Sequence, residues 1–169
     1  MSSSFKPSFQ NLDKDVENYL VSQGKFKKLK NGMIEFHGYY KAQEFFFRVY
    51  LENKAYDPLI SNLRYWNWEV GDNKFLDELT EKLIEAEDWP RLKKLWGSVM
   101  SKRRKLYNQM TDIMREDRGA IPLKDFNNAK GLLLSTLSRL LTMSEKHGAS
   151  DEISIYSKMV ERIRKGMKV

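Results

Sequence analysis

The apolar side chains of residues 57–169 recur every three or four positions, and this period constrains the fold more than any other feature of the sequence. Such a period gives each helix one apolar stripe that must be buried against a neighbour. The stripes are separated by turn and capping signals: Asp57-Pro58 favours a helix start, Asp88-Trp89-Pro90 a turn, and His147-Gly148 a helix end. We therefore predict that residues 57–169 form an all-helical body of antiparallel helical hairpins.

The first 56 residues do not share that uniform period. Residues 1–10 are Ser-rich and polar, which predicts a flexible tail. Residues 11–56 predict a small mixed α/β module. It begins with a short helix that ends at Gly24 and continues with a β-hairpin centred on Asn31-Gly32, because both of these residues tolerate positive φ angles.

The segment EFFFRVYL, from Glu44 to Leu51, completes this module. Aromatic and β-branched residues dominate it and favour a strand, although a short apolar run of this length also suits a buried helix. The fold class that we predict is mainly α, with a small N-terminal α+β element made of a helix and a β-hairpin or meander.

No pattern in the sequence points to catalysis or to a bound cofactor. Cysteine is absent, which removes disulfides, thiolate metal ligands and cysteine nucleophiles. The two histidines, His37 and His147, have no further metal ligand at a suitable spacing. Neither a phosphate-binding glycine loop nor a serine nucleophile motif occurs. We therefore predict a non-enzymatic protein without a metal or a cofactor.

The hydrophobic pattern also bears on the compartment. Residues 1–10 lack the apolar core of a signal peptide, and no apolar run approaches the roughly 20 residues of a membrane helix. We expect a soluble, cytoplasmic protein that has no membrane partner.

The chain is basic, with a net charge of +7, and this balance favours acidic partners. The helix that begins at Pro90 carries part of the charge. A helical projection places Lys93, Lys94, Arg104 and Lys105 on the side opposite its apolar stripe. This basic face has two interpretations: a solvated surface, or a site for phosphates or for an acidic protein.

Arg103 projects into the middle of the apolar stripe of the same helix. A buried guanidinium must be paired, because an unpaired buried charge is too costly. We predict that Arg103 pairs with an acid of the segment Asp77–Glu87, or that it lies exposed beyond the end of a neighbouring helix.

The segment RYWNWEV provides candidate partner-binding residues, Arg64, Tyr65, Trp66 and Trp68, because tryptophan, tyrosine and arginine are the usual interface anchors. Burial in the core is the alternative for these rings. Aromatic rings exposed beside the lysines of KFKKLK would also allow base stacking. The function that we predict is protein interaction, as an adaptor or regulatory protein with a helical-hairpin groove and exposed aromatic residues. The alternative is a basic nucleic-acid-binding protein or a small subunit of a nucleoprotein complex.

Overall fold

A computed structural model describes residues 5–62 and 74–169 of the chain. These residues form seven helices and two short strands, which follow one another as α1 (Leu12–Ser22), β1 (Phe26–Lys28), β2 (Ile34–Phe36), α2 (Tyr39–Glu52), α3 (Tyr56–Asn62), α4 (Lys74–Glu85), α5 (Trp89–Glu116), α6 (Leu123–Lys146) and α7 (Ser150–Arg164). The predicted fold class, mainly α with a small N-terminal α+β element, is confirmed.

The chain divides into two compact units, which we call the N-terminal unit (Met1–Arg91) and the C-terminal unit (Leu92–Val169). The division falls in the first turn of α5, whereas the change of hydrophobic period predicted a boundary after residue 56. The hydrophobic period identifies helices, but it does not show which other helices they pack against. Helix α3 packs on α1 and α2, and Phe75 of α4 lies against Phe47 of α2 with ring centroids 4.6 Å apart.

The core of the N-terminal unit forms where α1 packs on α2. Leu12, Val16 and Leu20 of α1 are buried at four-residue spacing, which is one stripe of a helix. The helix begins after Asn11, whose side-chain oxygen accepts a hydrogen bond from the backbone N–H of Lys14 at 3.1 Å. Capping and periodicity therefore agree on the limits of α1.

Helix α2 includes the segment for which we favoured a strand, residues 44–51, and that prediction is wrong. The helix begins after Gly38, whose φ of 74° lies in the left-handed region that glycine adopts without strain. Ala42, Phe46 and Tyr50 are buried at four-residue spacing. Packing against α1 therefore outweighs the strand preference of aromatic and β-branched residues, because that preference depends strongly on context.

Residues 5–10 lie against α1 and α2, where the sequence predicted a flexible tail. The ring of Phe5 packs edge-on against Phe46, with centroids 5.7 Å apart. The backbone N–H of Phe9 donates a hydrogen bond to the buried carboxylate of Asp15 at 3.3 Å. Phe5, Phe9 and the carboxylate of Asp15 thus hold this otherwise polar segment against the two helices.

Strands β1 and β2 form the predicted antiparallel hairpin. The backbone N–H of Gly32 donates to the carbonyl of Leu29 at 3.0 Å, and Gly32 has a φ of 81°. A tight turn followed by a left-handed glycine is a common way to close a hairpin. The side chain of Asn31 accepts a hydrogen bond from the N–H of Met33 at 3.1 Å and holds the turn in place.

The C-terminal unit is built from α5, α6 and α7. Helices α6 and α7 are joined by three residues and pack on each other, which makes them an antiparallel helical hairpin. All three helices contribute to one buried apolar cluster, which contains Tyr107, Leu133, Leu137, Met159 and Ile163.

The segment that follows α7 is held against α5. The hydroxyl of Tyr107 donates to the carbonyl of Met167 at 3.0 Å. The side chain of Asn108 accepts from the N–H of Val169 at 3.0 Å and donates to its carbonyl. Val169 also packs against the apolar cluster, so these residues are part of the packed structure of the unit.

Candidate binding surfaces

The predicted partner-binding residues Arg64, Tyr65, Trp66 and Trp68 lie outside the described residues. Their exposure therefore stays a prediction. The described residues offer two other surfaces, a basic one on the C-terminal unit and an exposed hairpin on the N-terminal unit.

Lys93, one of the four residues of the predicted basic face, is used within the C-terminal unit. Its ammonium group forms an ion pair with Glu152 of α7. The same carboxylate accepts a hydrogen bond from the buried hydroxyl of Ser144 on α6, at 3.1 Å. The hydrogen bond to Glu152 raises the pKa of Lys93, since it favours the charged form. Lys93 thus helps to join three helices.

The other members of that face, Lys94, Arg104 and Lys105, are exposed on α5. None of them forms an ion pair with a residue that the structure describes. Ser98 and Ser101 are exposed between them along the helix. These three bases are therefore available to an anion.

Arg103 is buried, with 6% of its surface exposed. Its guanidinium donates a hydrogen bond to the hydroxyl of Thr136 on α6, at 2.7 Å. That hydroxyl in turn donates to the carbonyl of Leu132 at 2.7 Å. Of the two placements that we predicted for Arg103, exposure beyond a neighbouring helix is wrong.

The charges of the two units differ strongly. The C-terminal unit contains 17 lysines and arginines against eight aspartates and glutamates, a net charge of +9. The N-terminal unit contains 13 against 15, a net charge of −2. Among the described residues, seven ion pairs lie in the N-terminal unit and two in the C-terminal unit. The basic surplus is therefore concentrated where few carboxylates neutralise it.

Some of the surplus basic residues of the C-terminal unit lie beside an exposed aliphatic side chain on α7. Ile155 is 57% exposed, and Lys158 and Arg162 follow it on the same side of the helix. Two acids, Asp151 and Glu152, precede Ile155 in the first turn, where the helix dipole favours a carboxylate, and Glu152 is paired with Lys93. The sequence pattern did not indicate this surface, because the net charge of a unit can be counted only when the boundary of that unit is known.

Two tyrosines with a raised pKa, Tyr39 and Tyr50, belong to the scaffold of the N-terminal unit. Burial raises the pKa of Tyr39, and so does its hydroxyl's 2.6 Å hydrogen bond to Asp13. Burial and a hydrogen bond to Asp15 raise the pKa of Tyr50 in the same way. Each contact joins α2 to α1. Within residues 5–62 and 74–169, no three histidine, aspartate or glutamate side chains are grouped so as to hold a metal ion.

Comparison with known proteins adds no relative: no family model, no curated protein and no solved structure matches this chain. None of the helices that the structure describes has both the length and the apolar character needed to cross a membrane.

Proposed function

We propose that this chain is a non-enzymatic interaction protein whose C-terminal unit binds an acidic protein partner. The observation that supports the proposal is the net charge of +9 on that unit, in which the described residues form two ion pairs. An uncompensated basic surface attracts acidic partners and speeds their association.

A protein partner suits this surface because aliphatic side chains are exposed among the bases. Leu123 and Ile155 are 64% and 57% exposed. Apolar anchors with a charged rim are the usual composition of a protein interface. The unit's aromatic residues, in contrast, are buried or half-buried, which leaves no exposed ring on which a base could stack.

A pair of labelled peptides tests the proposal. One peptide alternates glutamate with leucine and the other glutamate with serine, so that they carry the same charge. We expect the leucine peptide to bind more tightly in fluorescence anisotropy, and the variant Ile155→Ser to remove the difference. Lys158→Glu combined with Arg162→Glu should weaken both peptides, while Lys6→Glu, an exposed lysine of the N-terminal unit, should have little effect. Equal binding of the two peptides would contradict the proposal.

A second candidate function is binding of nucleic-acid phosphates on α5. The exposed bases Lys94, Arg104 and Lys105 favour it, because none of them is paired with a described carboxylate. If α5 binds phosphates, the affinity for a duplex oligonucleotide should fall steeply as the salt concentration rises. Lys94→Gln and Lys105→Gln should each reduce the slope of log affinity against log salt concentration by about 0.9. Failure of the duplex to bind at low salt removes this candidate and leaves the first one intact.

A further inference from the structure

The hairpin of β1 and β2 buries very little of its own apolar surface. All three residues of β1 are exposed, and so are two of the three residues of β2. Phe26, Met33 and Ile34 have 39%, 63% and 47% of their surfaces exposed. A lone two-stranded hairpin is marginally stable in water, and these side chains contribute little to the core. They are therefore available to a partner.

The strand register divides the hairpin into two faces. Directly opposite residues of an antiparallel pair share a face, and the face of interest, which we call the phenylalanine face, contains Phe26, Lys28, Ile34 and Phe36. Lys27 and Glu35 are opposite each other on the other face. Backbone hydrogen bonds join residue 25 to 37 and residue 29 to 33. The pairs on the phenylalanine face are therefore the non-hydrogen-bonded ones, in which side chains come closest.

The hairpin is also basic. Residues 25–37 contain one acid, Glu35, and four lysines, all of them exposed: Lys25, Lys27, Lys28 and Lys30. None of these lysines forms an ion pair with a residue in the described part of the chain. The phenylalanine face itself contains no acid. Charge complementarity thus requires an anionic occupant.

We propose that the phenylalanine face binds single-stranded nucleic acid. A base stacks on the exposed ring of Phe26, which has the half-buried Phe36 opposite it, and Lys28 and Lys30 meet the phosphates, since an exposed ring beside cations is what a single strand uses. An anionic membrane fits less well. The tip of the hairpin, Lys30-Asn31-Gly32, is polar and would have to enter the bilayer before the phenylalanines. This site lies on the N-terminal unit and is independent of the function proposed for the C-terminal unit.

The test uses the full chain and a fluorescein-labelled oligothymidylate of about 15 nucleotides, followed by anisotropy at about 50 and 200 mM salt. We expect binding at the lower salt and a large loss at the higher. Phe26→Ala should weaken binding at least about fivefold, the loss of one stacked base, and Phe26→Trp should keep it. Because Phe26 is exposed, neither variant should change the circular dichroism spectrum.

Two lysine variants form a matched pair. Lys28→Gln removes a charge from the phenylalanine face, and Lys27→Gln removes the same charge from the opposite face of the same strand. We expect Lys28→Gln to reduce the slope of log affinity against log salt concentration by about 0.7. It should also weaken binding more than Lys27→Gln does.

Several results would overturn this proposal. The first is no binding of the oligonucleotide by the unmodified chain at low salt. The second is loss of binding in Lys94→Glu combined with Lys105→Glu while Phe26→Ala binds normally, which would place the strand on α5. The third is displacement of the oligonucleotide by polyglutamate or by phosphatidylserine vesicles as effectively as by unlabelled oligothymidylate.

Discussion

The N-terminal unit holds 17 of the 21 aromatic residues of the chain, and the C-terminal unit holds four but carries nearly all of the basic surplus. In the N-terminal unit, carboxylates of α1 accept hydrogen bonds from tyrosine hydroxyls of α2, and most described ion pairs lie there as well. The C-terminal unit is held mainly by aliphatic packing around Tyr107. The N-terminal unit thus uses more of its charges in its own structure, whereas the C-terminal unit leaves a larger basic surplus on its surface.

The largest effect that we expect comes from Asp15→Ala, which removes the central acceptor of the N-terminal unit. The buried carboxylate accepts hydrogen bonds from the backbone N–H of Ser8 and of Phe9 and from the hydroxyl of Tyr50. A buried donor such as the Tyr50 hydroxyl is costly without an acceptor, and the two backbone hydrogen bonds are lost as well, so we expect the N-terminal unit to lose about 3 kcal/mol of unfolding free energy. Hydrogen exchange with mass spectrometry in increasing urea measures each unit separately.

The control for this variant is Asp13→Ala. Asp13 accepts one hydrogen bond, from Tyr39, and is only half-buried, so the expected loss is about 1 kcal/mol. Equal losses from the two variants would mean that the docked segment at residues 5–10 depends on its phenylalanine rings and not on Asp15.

Arg103 tests the C-terminal unit, where a buried charge is the exception. We expect Arg103→Ala to cost about 2 kcal/mol of unfolding free energy, because it removes both the packed stem and the donor to Thr136. Arg103→Met should cost less than half of that, since it keeps the stem. If methionine proves as damaging as alanine, the guanidinium's hydrogen bonds matter more than its packing, and the contrast between the units weakens.

The two units should also differ in the extent of their response to high pH. The C-terminal unit has one tyrosine whose pKa is raised, Tyr156, through burial and the nearby charge of Glu152, whereas the N-terminal unit has two that also donate hydrogen bonds to carboxylates. Burial and hydrogen bonds to carboxylates raise the pKa of Tyr39 and Tyr50 in the folded state. A group whose pKa is raised in the folded state stabilises that state fully at any pH below its unfolded pKa, which is about 10 for tyrosine. This stabilisation is lost as the pH rises above that value. We therefore expect the N-terminal unit to lose stability as the pH rises above about 10, by less than Asp15→Ala costs up to about pH 11.

Tyr39→Phe is the matched variant for this pH response. It keeps the ring, removes the ionisable hydroxyl, and should flatten the dependence of the N-terminal unit on pH above about 10. Absorbance titration of the phenolates, read beside urea unfolding at each pH, checks the assignment. An unchanged slope in Tyr39→Phe would contradict it.

Local signals in the sequence predicted much of this fold. The turn at Asn31-Gly32 and the helix that starts near Pro90 were both predicted, because each depends on residues within a few positions of one another. The aromatic run of α2 was misassigned because its type depends on whether α1 covers one side of it. The docking of Phe5 and Phe9 was missed for the same reason: their partners are far along the chain.

The candidate surfaces show the same limit. A helical projection placed Lys93 on the outer side of α5, but it does not show that Glu152 of α7 reaches it. It also placed Arg103 on the apolar side without identifying Thr136, which is 33 positions away. Net charge calculated for each compact unit would have pointed to the C-terminal surface, but it requires a unit boundary that the hydrophobic period does not mark.

The smallest effect concerns two glycines, one in each unit, that have different backbone conformations. Gly131 lies within α6, and a Cβ added there meets no described atom within 4 Å. Gly131→Ala should therefore stabilise the C-terminal unit by about 0.5–1 kcal/mol, because alanine has the higher helix propensity. Gly24 follows α1 with a φ of 67°, where a Cβ is strained although space is open. Gly24→Ala should destabilise the N-terminal unit by about 1 kcal/mol. Opposite signs in urea titrations support this distinction, and a destabilising Gly131→Ala would indicate that a partner or a neighbouring backbone needs the open space at that position.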